Sequence, residues 1–270
     1  MKLNQKMLVE KITISVVTIC FNNLDELIRT CHTVDSQTKM PFEHWIIDGS
    51  RTPTIEEWLE NNPQPQYRKW ICEPDKGIAD AFNKGIARSN GEVIHLLNAG
   101  DVYAASNVLE LVEVAFSEHG EWQWLTGKII LTRMGHKVEV GKPFHPEKLY
   151  RGMRSVSHPT WFVKKQVYHE VGQYDQSYAI AMDYEMMCRL KFFKAGFLNK
   201  AFVVFDDTGV STRNYLSALK ETRKAFEAHF GYSIKMSVWQ LRLKILYTLQ
   251  QTKIGQLLFQ VKRRLGLENM

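Results

Sequence analysis

The chain has no Cys-x-x-Cys pair: its four cysteines, Cys20, Cys31, Cys72 and Cys188, are scattered, and three of them sit in apolar segments. They read as reduced core residues, which excludes a zinc ribbon or a disulfide-stapled fold. No uninterrupted apolar run reaches the roughly 18 residues a membrane-spanning helix needs, and the opening "MKLNQKMLVEKITI" lacks a signal-peptide core. The expected location is the cytoplasm or the inner face of the cell membrane. Neither Gly-x-Gly-x-x-Gly nor a Gly-Lys-Ser/Thr loop occurs, so dinucleotide and P-loop readings lose their main support. There is also no repeat, low-complexity run or Pro-rich linker to divide the chain.

What is present is ordinary for a folded protein: 270 residues, 44% hydrophobic and 24% charged. The formal charge of +6 is unevenly placed. Residues 234–265 carry seven cations (Lys235, Arg242, Lys244, Lys253, Lys262, Arg263 and Arg264) and no acid, and removing those seven from +6 leaves −1 for the rest. A nearly neutral body with a basic tail argues against nucleic acid as partner and for an anionic membrane surface. In the tail, Val238, Leu241, Ile245 and Leu249, then Ile254, Leu257, Leu258, Val261 and Leu265, recur at helical spacing beside the cations. This pattern predicts basic amphipathic helices over 232–270 that lie on an anionic leaflet, or else pack on the domain.

Segment 12–20, "ITISVVTIC", is β-branched and apolar without alternation, as in a strand buried on both faces of a parallel sheet. A helix follows, with Asn23 as cap and Leu24, Leu27, Ile28 and Cys31 on one stripe. Strands at 44–48 and 68–72, helices at 54–61 (Thr54 and Glu57 spaced as a capping box) and 78–89, and the strand "EVIHLL" continue the alternation. The pattern predicts an α/β fold with a doubly wound, mostly parallel first half. Beyond it, "WLTGKIIL", "SVSHPTWFVK" and "AFVVF" read as strands, with helices beginning near Met182 and after Asn214. One globule is expected to about Gly231.

Ligands bind beyond the carboxyl ends of parallel strands. There the sequence places Thr18 and Asn22, then Asp48 in "DGSRT", then Glu73 and Asp75 in "EPDKG", then Asn98 and Asp101 in "LLNAGDVY". Each acid alone suits a turn or cap; gathered at one sheet edge, they suit ribose hydroxyls, base edges or a divalent metal.

The blocks "ISVVTICFNN", "WIIDGSRTPT", "EPDKGIADAFNKGIA", "GEVIHLLNAGD", "SHPTWFVKKQVYHEVGQYDQSYAIAMDYEMMCRL" and "DDTGVST" resemble, in order, those of the family 2 inverting glycosyltransferases with the GT-A fold. The likeness spans about 12–213 and is nearest to bacterial enzymes of exopolysaccharide and lipopolysaccharide assembly. It implies a GT-A-type mixed sheet in domain 1–231, with a donor-binding half at about 11–131 and an acceptor-side half at about 132–231. It also implies a nucleotide-diphosphate-sugar donor, a UDP-sugar favoured, bound through Thr18, Asn22, Asp48, Asp75, Asp80, Asn83 and Asn98. Asp101 would hold Mn²⁺ or Mg²⁺, although Asn-Ala-Gly-Asp stands here where the family often has Asp-Ala-Asp-Asp. One carboxylate suffices when the substrate diphosphate and waters supply the other oxygens. Asp183 in "AMDYEMMCRL" takes the place of the catalytic base, with Glu185 as its competitor, and His158 and Arg213 are candidates for phosphate or acceptor contacts. The implied acceptor is a lipid-linked (polyprenyl-diphosphate) saccharide, which would place the enzyme peripherally on the inner membrane face.

Two other classes compete. A non-catalytic nucleotide-sugar-binding subunit would explain the thinned acidic motif but not the retention of Asp101 and Asp183. A nucleotidyltransferase would want a Gly-rich basic loop after the first strand, where "TICFNNLDE" stands. A processive synthase would need membrane spans and a Gln-x-x-Arg-Trp block, and neither is present.

Overall fold

The computed structural model describes residues 11–133, 136–153, 156–205, 214–252 and 255. The first half alternates as its apolar runs predict: β1 (Ile14–Cys20), α1 (Leu24–Asp35), β2 (Glu43–Asp48), α2 (Thr54–Asn61), β3 (Arg68–Cys72), α3 (Ile78–Arg88) and β4 (Val93–Leu96). The two-residue β5 (Val102–Tyr103), α4 (Val108–Glu118), β6 (Trp124–Arg133) and β7 (His136–Val140) follow. Then come β8 (Phe162–Lys164), α5 (Lys165–Val171), α6 (Met182–Arg189), β9 (Ala195–Val204), α7 (Tyr215–Phe230) and α8 (Ile234–Gln250).

Among the described residues the strands form one nine-stranded sheet in the order β3-β2-β1-β4-β8-β6-β9-β5, with β7 paired to β6. Strands β3, β2, β1 and β4 are mutually parallel; β8 runs antiparallel between β4 and β6, and β9 is parallel to β6. Successive residues bury to opposite faces, which is why these strands show no polar alternation. Val17, Ile47, Trp124 and Val163 pack with Phe82 of α3, Met186 of α6 and Phe226 of α7. Val16, Leu125 and Phe162 pack with Val112 and Phe116 of α4, while Ile46 meets Leu27 of α1 and Leu59 of α2. Cys20, Cys31 and Cys188 are buried and all four cysteines are free thiols.

Three local expectations are corrected. Thr54 is the first helical residue of α2 rather than its cap; Pro53 occupies the cap and no side-chain cap bond forms. Asn23 sits at the cap of α1, but its Oδ1 accepts from the Phe21 N–H at 2.8 Å instead of from the helix. The segment "SVSHPTWFVK" is not one strand: a 3₁₀ turn at His158–Thr160 precedes β8, because Pro159 cannot donate to a sheet ladder. Among the described residues no helix is long and apolar enough to cross a membrane.

Candidate active site

The parallel strands deliver Asn22, Asp48 and Asp75 to one edge. Asp48 ends β2 almost wholly buried, and its Oδ1 accepts from the Ser50 N–H (2.9 Å) and hydroxyl (2.5 Å). Ser50 Oγ in turn accepts from the Asn22 N–H at 2.7 Å. Asn22 holds φ 54°, a left-handed conformation that Asn tolerates better than most residues. A Cβ at Gly49 would stand 1.8 Å from Asp75 Oδ2, so the Asp75 carboxylate lies directly on this glycine's backbone. Its Oδ1 accepts from the Gly77 N–H at 2.8 Å. The three residues therefore form one polar ledge, hinged on Gly49 and Ser50.

Thr18, Asp80 and Asn83 are placed differently. Thr18 is fully buried behind the ledge, its hydroxyl 2.9 Å from His44 Nε2. Asp80 braces the loop before α3, accepting from the Lys76 N–H (3.0 Å) and Gln176 Nε2 (3.2 Å). Asn83 clamps the backbone of Tyr174 from both sides: its Nδ2 donates to the carbonyl (2.9 Å) and its Oδ1 accepts from the N–H (2.7 Å). Both polar ends of Asn83 are spent on joining α3 to the segment that leads into α6. Glu73 is half-exposed and paired with Lys84 at 3.1 Å.

The loop after β4 turns at Gly100, whose φ of 104° favours glycine. Thr30 of α1 pins it, donating to the Asp101 carbonyl (2.8 Å) and accepting from the Gly100 N–H (3.0 Å). The Asp101 side chain is nearly buried, and Asn98 Oδ1 is buried with no hydrogen-bond partner among the described residues. An unmatched carboxamide oxygen three residues from a carboxylate suits a hard divalent cation. No group of three or more His, Cys, Asp or Glu side chains that could hold a metal occurs among the described residues, so substrate oxygens would have to complete such a shell.

Asp183 stands in the first turn of α6 with 31% of its side chain exposed, and its carboxylate lies 4.0 Å from His158 Nε2. Among the described residues no hydrogen bond engages its carboxylate, and burial raises its pKa, the nearby His158 acting in the opposite sense. His158 itself is buried among Phe82, Trp161 and Tyr174, with its Nε2 2.9 Å from the Tyr174 hydroxyl. Burial lowers its pKa, so it is a neutral imidazole behind Asp183 rather than a cation reaching for phosphate. Glu185, the competing acid, has both oxygens taken: Arg189 at 2.5 Å and His229 at 2.8 Å. Arg213 lies outside the described residues.

Two supports left no local mark in the sequence. Glu221 of α7 accepts from three consecutive backbone N–H groups at the start of α6: Ala179 (3.3 Å), Ile180 (2.8 Å) and Ala181 (2.8 Å). It serves as a remote cap on the turn that carries Asp183. His95 of β4 is fully buried, stacks on Phe162 at 4.0 Å, and reaches the Tyr103 hydroxyl (2.8 Å) and the Pro159 carbonyl (2.9 Å). One imidazole thereby ties the strand after Asp101 to the turn that holds His158.

The arrangement offers a polar ledge for a ligand with hydroxyls and N–H groups, a possible cation position, and a solitary acid of raised pKa. Residues 15–171 match the model of glycosyl transferase family 2. An uncharacterized glycosyltransferase of Mycobacterium tuberculosis is 30% identical over 224 residues, which cover 82% of this chain and 85% of that one. A PGL/p-HBAD biosynthesis glycosyltransferase of Mycobacterium bovis is 23% identical over 180 residues, 66% of each chain. Among solved structures, S. aureus TarS 1-349 in complex with UDP has a TM-score of 0.59 at 15% identity, covering 81% of this chain and 66% of that one. A longer S. aureus TarS chain is matched over 44% of its length, with 89% of this chain covered. The mannosyltransferase PcManGT of Pyrobaculum calidifontis, in complex with GDP-Man and Mn²⁺, has a TM-score of 0.57 at 12% identity, covering 96% and 81%. These structural likenesses show the fold, a GT-A-type mixed sheet.

Proposed function

Because the chain belongs to glycosyl transferase family 2, we propose that it moves a single hexose or N-acetylhexosamine from a nucleotide-diphosphate sugar to a lipid-linked saccharide, with inversion. The observation that carries this reading is Asp183: the acid at the head of α6 that no described residue hydrogen-bonds, partly open to solvent and raised in pKa, while Glu185 is consumed in ion pairs. An inverting transfer needs one base to take the acceptor hydroxyl's proton as that oxygen attacks the anomeric carbon. A carboxylate of raised pKa is a stronger base than an ordinary Asp.

On the donor side, Asp48 and Asp75 accept hydrogen bonds from the nucleoside, with Asn22 beside them. A UDP-sugar is favoured, supported by the solved relative named as a complex with UDP-GlcNAc; the GDP-Man complex makes a guanine donor the second arm of the test. Asn98 and Asp101 would hold Mn²⁺ or Mg²⁺, which when bound neutralises charge on the leaving diphosphate. The acceptor is a polyprenyl-diphosphate saccharide of bacterial surface polysaccharide assembly, of the exopolysaccharide or lipopolysaccharide kind, met peripherally at the cytoplasmic face of the membrane.

A panel of UDP-, GDP- and dTDP-sugars, with and without Mn²⁺, tests the reading on wild type, Asp183→Asn and Asp101→Ala. Asp183→Asn should lower turnover by about 10²–10⁴-fold while leaving nucleotide binding intact, and Asp101→Ala should remove the Mn²⁺-dependent part of donor binding. Binding without turnover in wild type, even with lipid-linked acceptors supplied, would favour the non-catalytic subunit. Equal turnover by wild type and Asp183→Asn would remove Asp183 as the base.

A further inference from the structure

Helix α8 is bound to the body by one face only. Met236, Gln240 and Leu243 are buried, Gln240 Nε2 donates to the Leu219 carbonyl of α7 at 2.7 Å, and Trp239 Nε1 donates to the Arg151 carbonyl at 3.2 Å. The opposite face is apolar and not packed on the core of the described residues: Ile234, Val238, Leu241, Ile245 and Leu249 are between 49% and 70% exposed. At about 100° per residue these five share an arc of about 80°, turned away from the packed face. Exposed Lys235 and Arg242 flank the arc on one side and Lys244 on the other, and the helix contains no acid. At its N-terminal end, exposed Tyr232 adjoins a cleft of about 220 Å³ that places Lys191 beside Lys235. A soluble helix ordinarily turns such a stripe inward. Here the inward face is already filled, so the stripe is a second, separate apolar surface held rigid by the first.

We propose that this outward face of α8 is the surface by which the protein sits on an anionic lipid leaflet. The five apolar side chains enter the boundary between headgroups and acyl chains, and Lys235, Arg242, Lys244 and Lys191 meet lipid phosphates. Charge selects this occupant over a second copy of the chain, because pairing two α8 faces would bring cations against cations with no acid on either helix. The inference rests on the reading of a lipid-linked acceptor for its purpose, and is tested apart from it.

The test is flotation of the full chain with phosphatidylcholine vesicles and with vesicles containing about 30% phosphatidylglycerol. Wild type should float with the anionic vesicles, less as salt rises, and little with the neutral ones. The pair Val238→Glu and Leu241→Glu should lower that partition at least about tenfold with unchanged circular dichroism and unchanged donor hydrolysis. The milder triple change of Lys235, Arg242 and Lys244 to Gln, which leaves every packed residue in place, should reduce binding to the neutral-vesicle level. Absence of flotation, or flotation untouched by both variants, overturns the proposal; so does a concentration-dependent dimer that the Glu pair dissociates, since the occupant would then be a second copy. Flotation without donor turnover would instead sink the transferase reading and leave this one standing.

Discussion

Three histidines are buried in contacts that leave little place for a second proton, and mild acid should therefore destabilise this protein. His44 is fully buried between the Thr18 hydroxyl and Arg68 Nε, which already points at its Nδ1 from 3.3 Å. Burial, with Arg68 adding to it, puts its pKa well below the usual range. His95 is pushed down to about 3 by burial, and His158 is lowered for the same reason. With folded pKa values depressed, the unfolded chain binds protons first, so stability falls as pH falls through the unfolded His pKa of about 6.5. For His95 the loss is about 1.4 kcal/mol per pH unit below that point, or about 2 kcal/mol between pH 7 and pH 5, and His44 and His158 act in the same direction. Asp183, whose pKa is raised, acts in the opposite sense but is one group against three. Urea midpoints at pH 7, 6 and 5 measure the loss, and His95→Gln, which keeps a donor and an acceptor in place, should flatten it by about 2 kcal/mol. Equal midpoints at pH 7 and pH 5 would refute the reasoning.

Other outcomes follow from single contacts. Glu221→Ala removes three acceptor bonds from the start of α6 and should cost about 2–3 kcal/mol, whereas Glu221→Gln retains the oxygen that serves two of them and should cost about 1 kcal/mol; thermal unfolding compares the two, and indistinguishable midpoints would deny the remote cap. The acid limb of the kcat/KM profile should lie above the ordinary Asp range and activity should rise with pH through it, because Asp183 must be ionised to act. Gly49→Ala sets a Cβ 1.8 Å from Asp75 Oδ2 and should weaken donor binding at least about tenfold, with Gly120→Ala, which meets nothing within 4 Å, as the neutral control by calorimetry.

Strands buried on both faces announce themselves by composition, and so β1 to β4 and their helices could be read directly from apolar runs. The second half could be read only in part: β6, β9, α6 and α7 lie where their apolar runs predict, but its shorter elements do not show. β5 and β8 have two and three residues, too few for any period to show, and the outward side chains of β7 give it no apolar signature. Position after a strand was enough to gather Asn22, Asp48 and Asp75, but not to say what each side chain does there. Thr18, Asp80 and Asn83 have equally suitable chemistry, yet the structure commits them to His44, the 76–77 turn and Tyr174. The supports of Asp183 were illegible because their partners are remote: Glu221 caps residues about 40 positions earlier, and Asn83 grips Tyr174 across 91. The preference for Asp183 over Glu185, drawn from motif likeness, gains a physical reason only in three dimensions, where Arg189 and His229 occupy Glu185.

The sheet order has a consequence for how such a protein is synthesised and how it changes. β8 fills the gap between β4 and β6, and β9 supplies the neighbour of both β6 and β5, so segments late in the chain complete a sheet begun by the early ones. A nascent chain that has emerged only to about residue 160 therefore leaves β4 and β6 without their β8 partner and β6 and β5 without their β9 partner, edges that close only when those two strands arrive. The same interleaving bars the two halves from being exchanged as cassettes: a borrowed acceptor segment would have to reproduce β8 and β9 in register against resident strands. New acceptor preferences in this architecture are expected to come from rewriting the loops between strands, with the woven frame left in place.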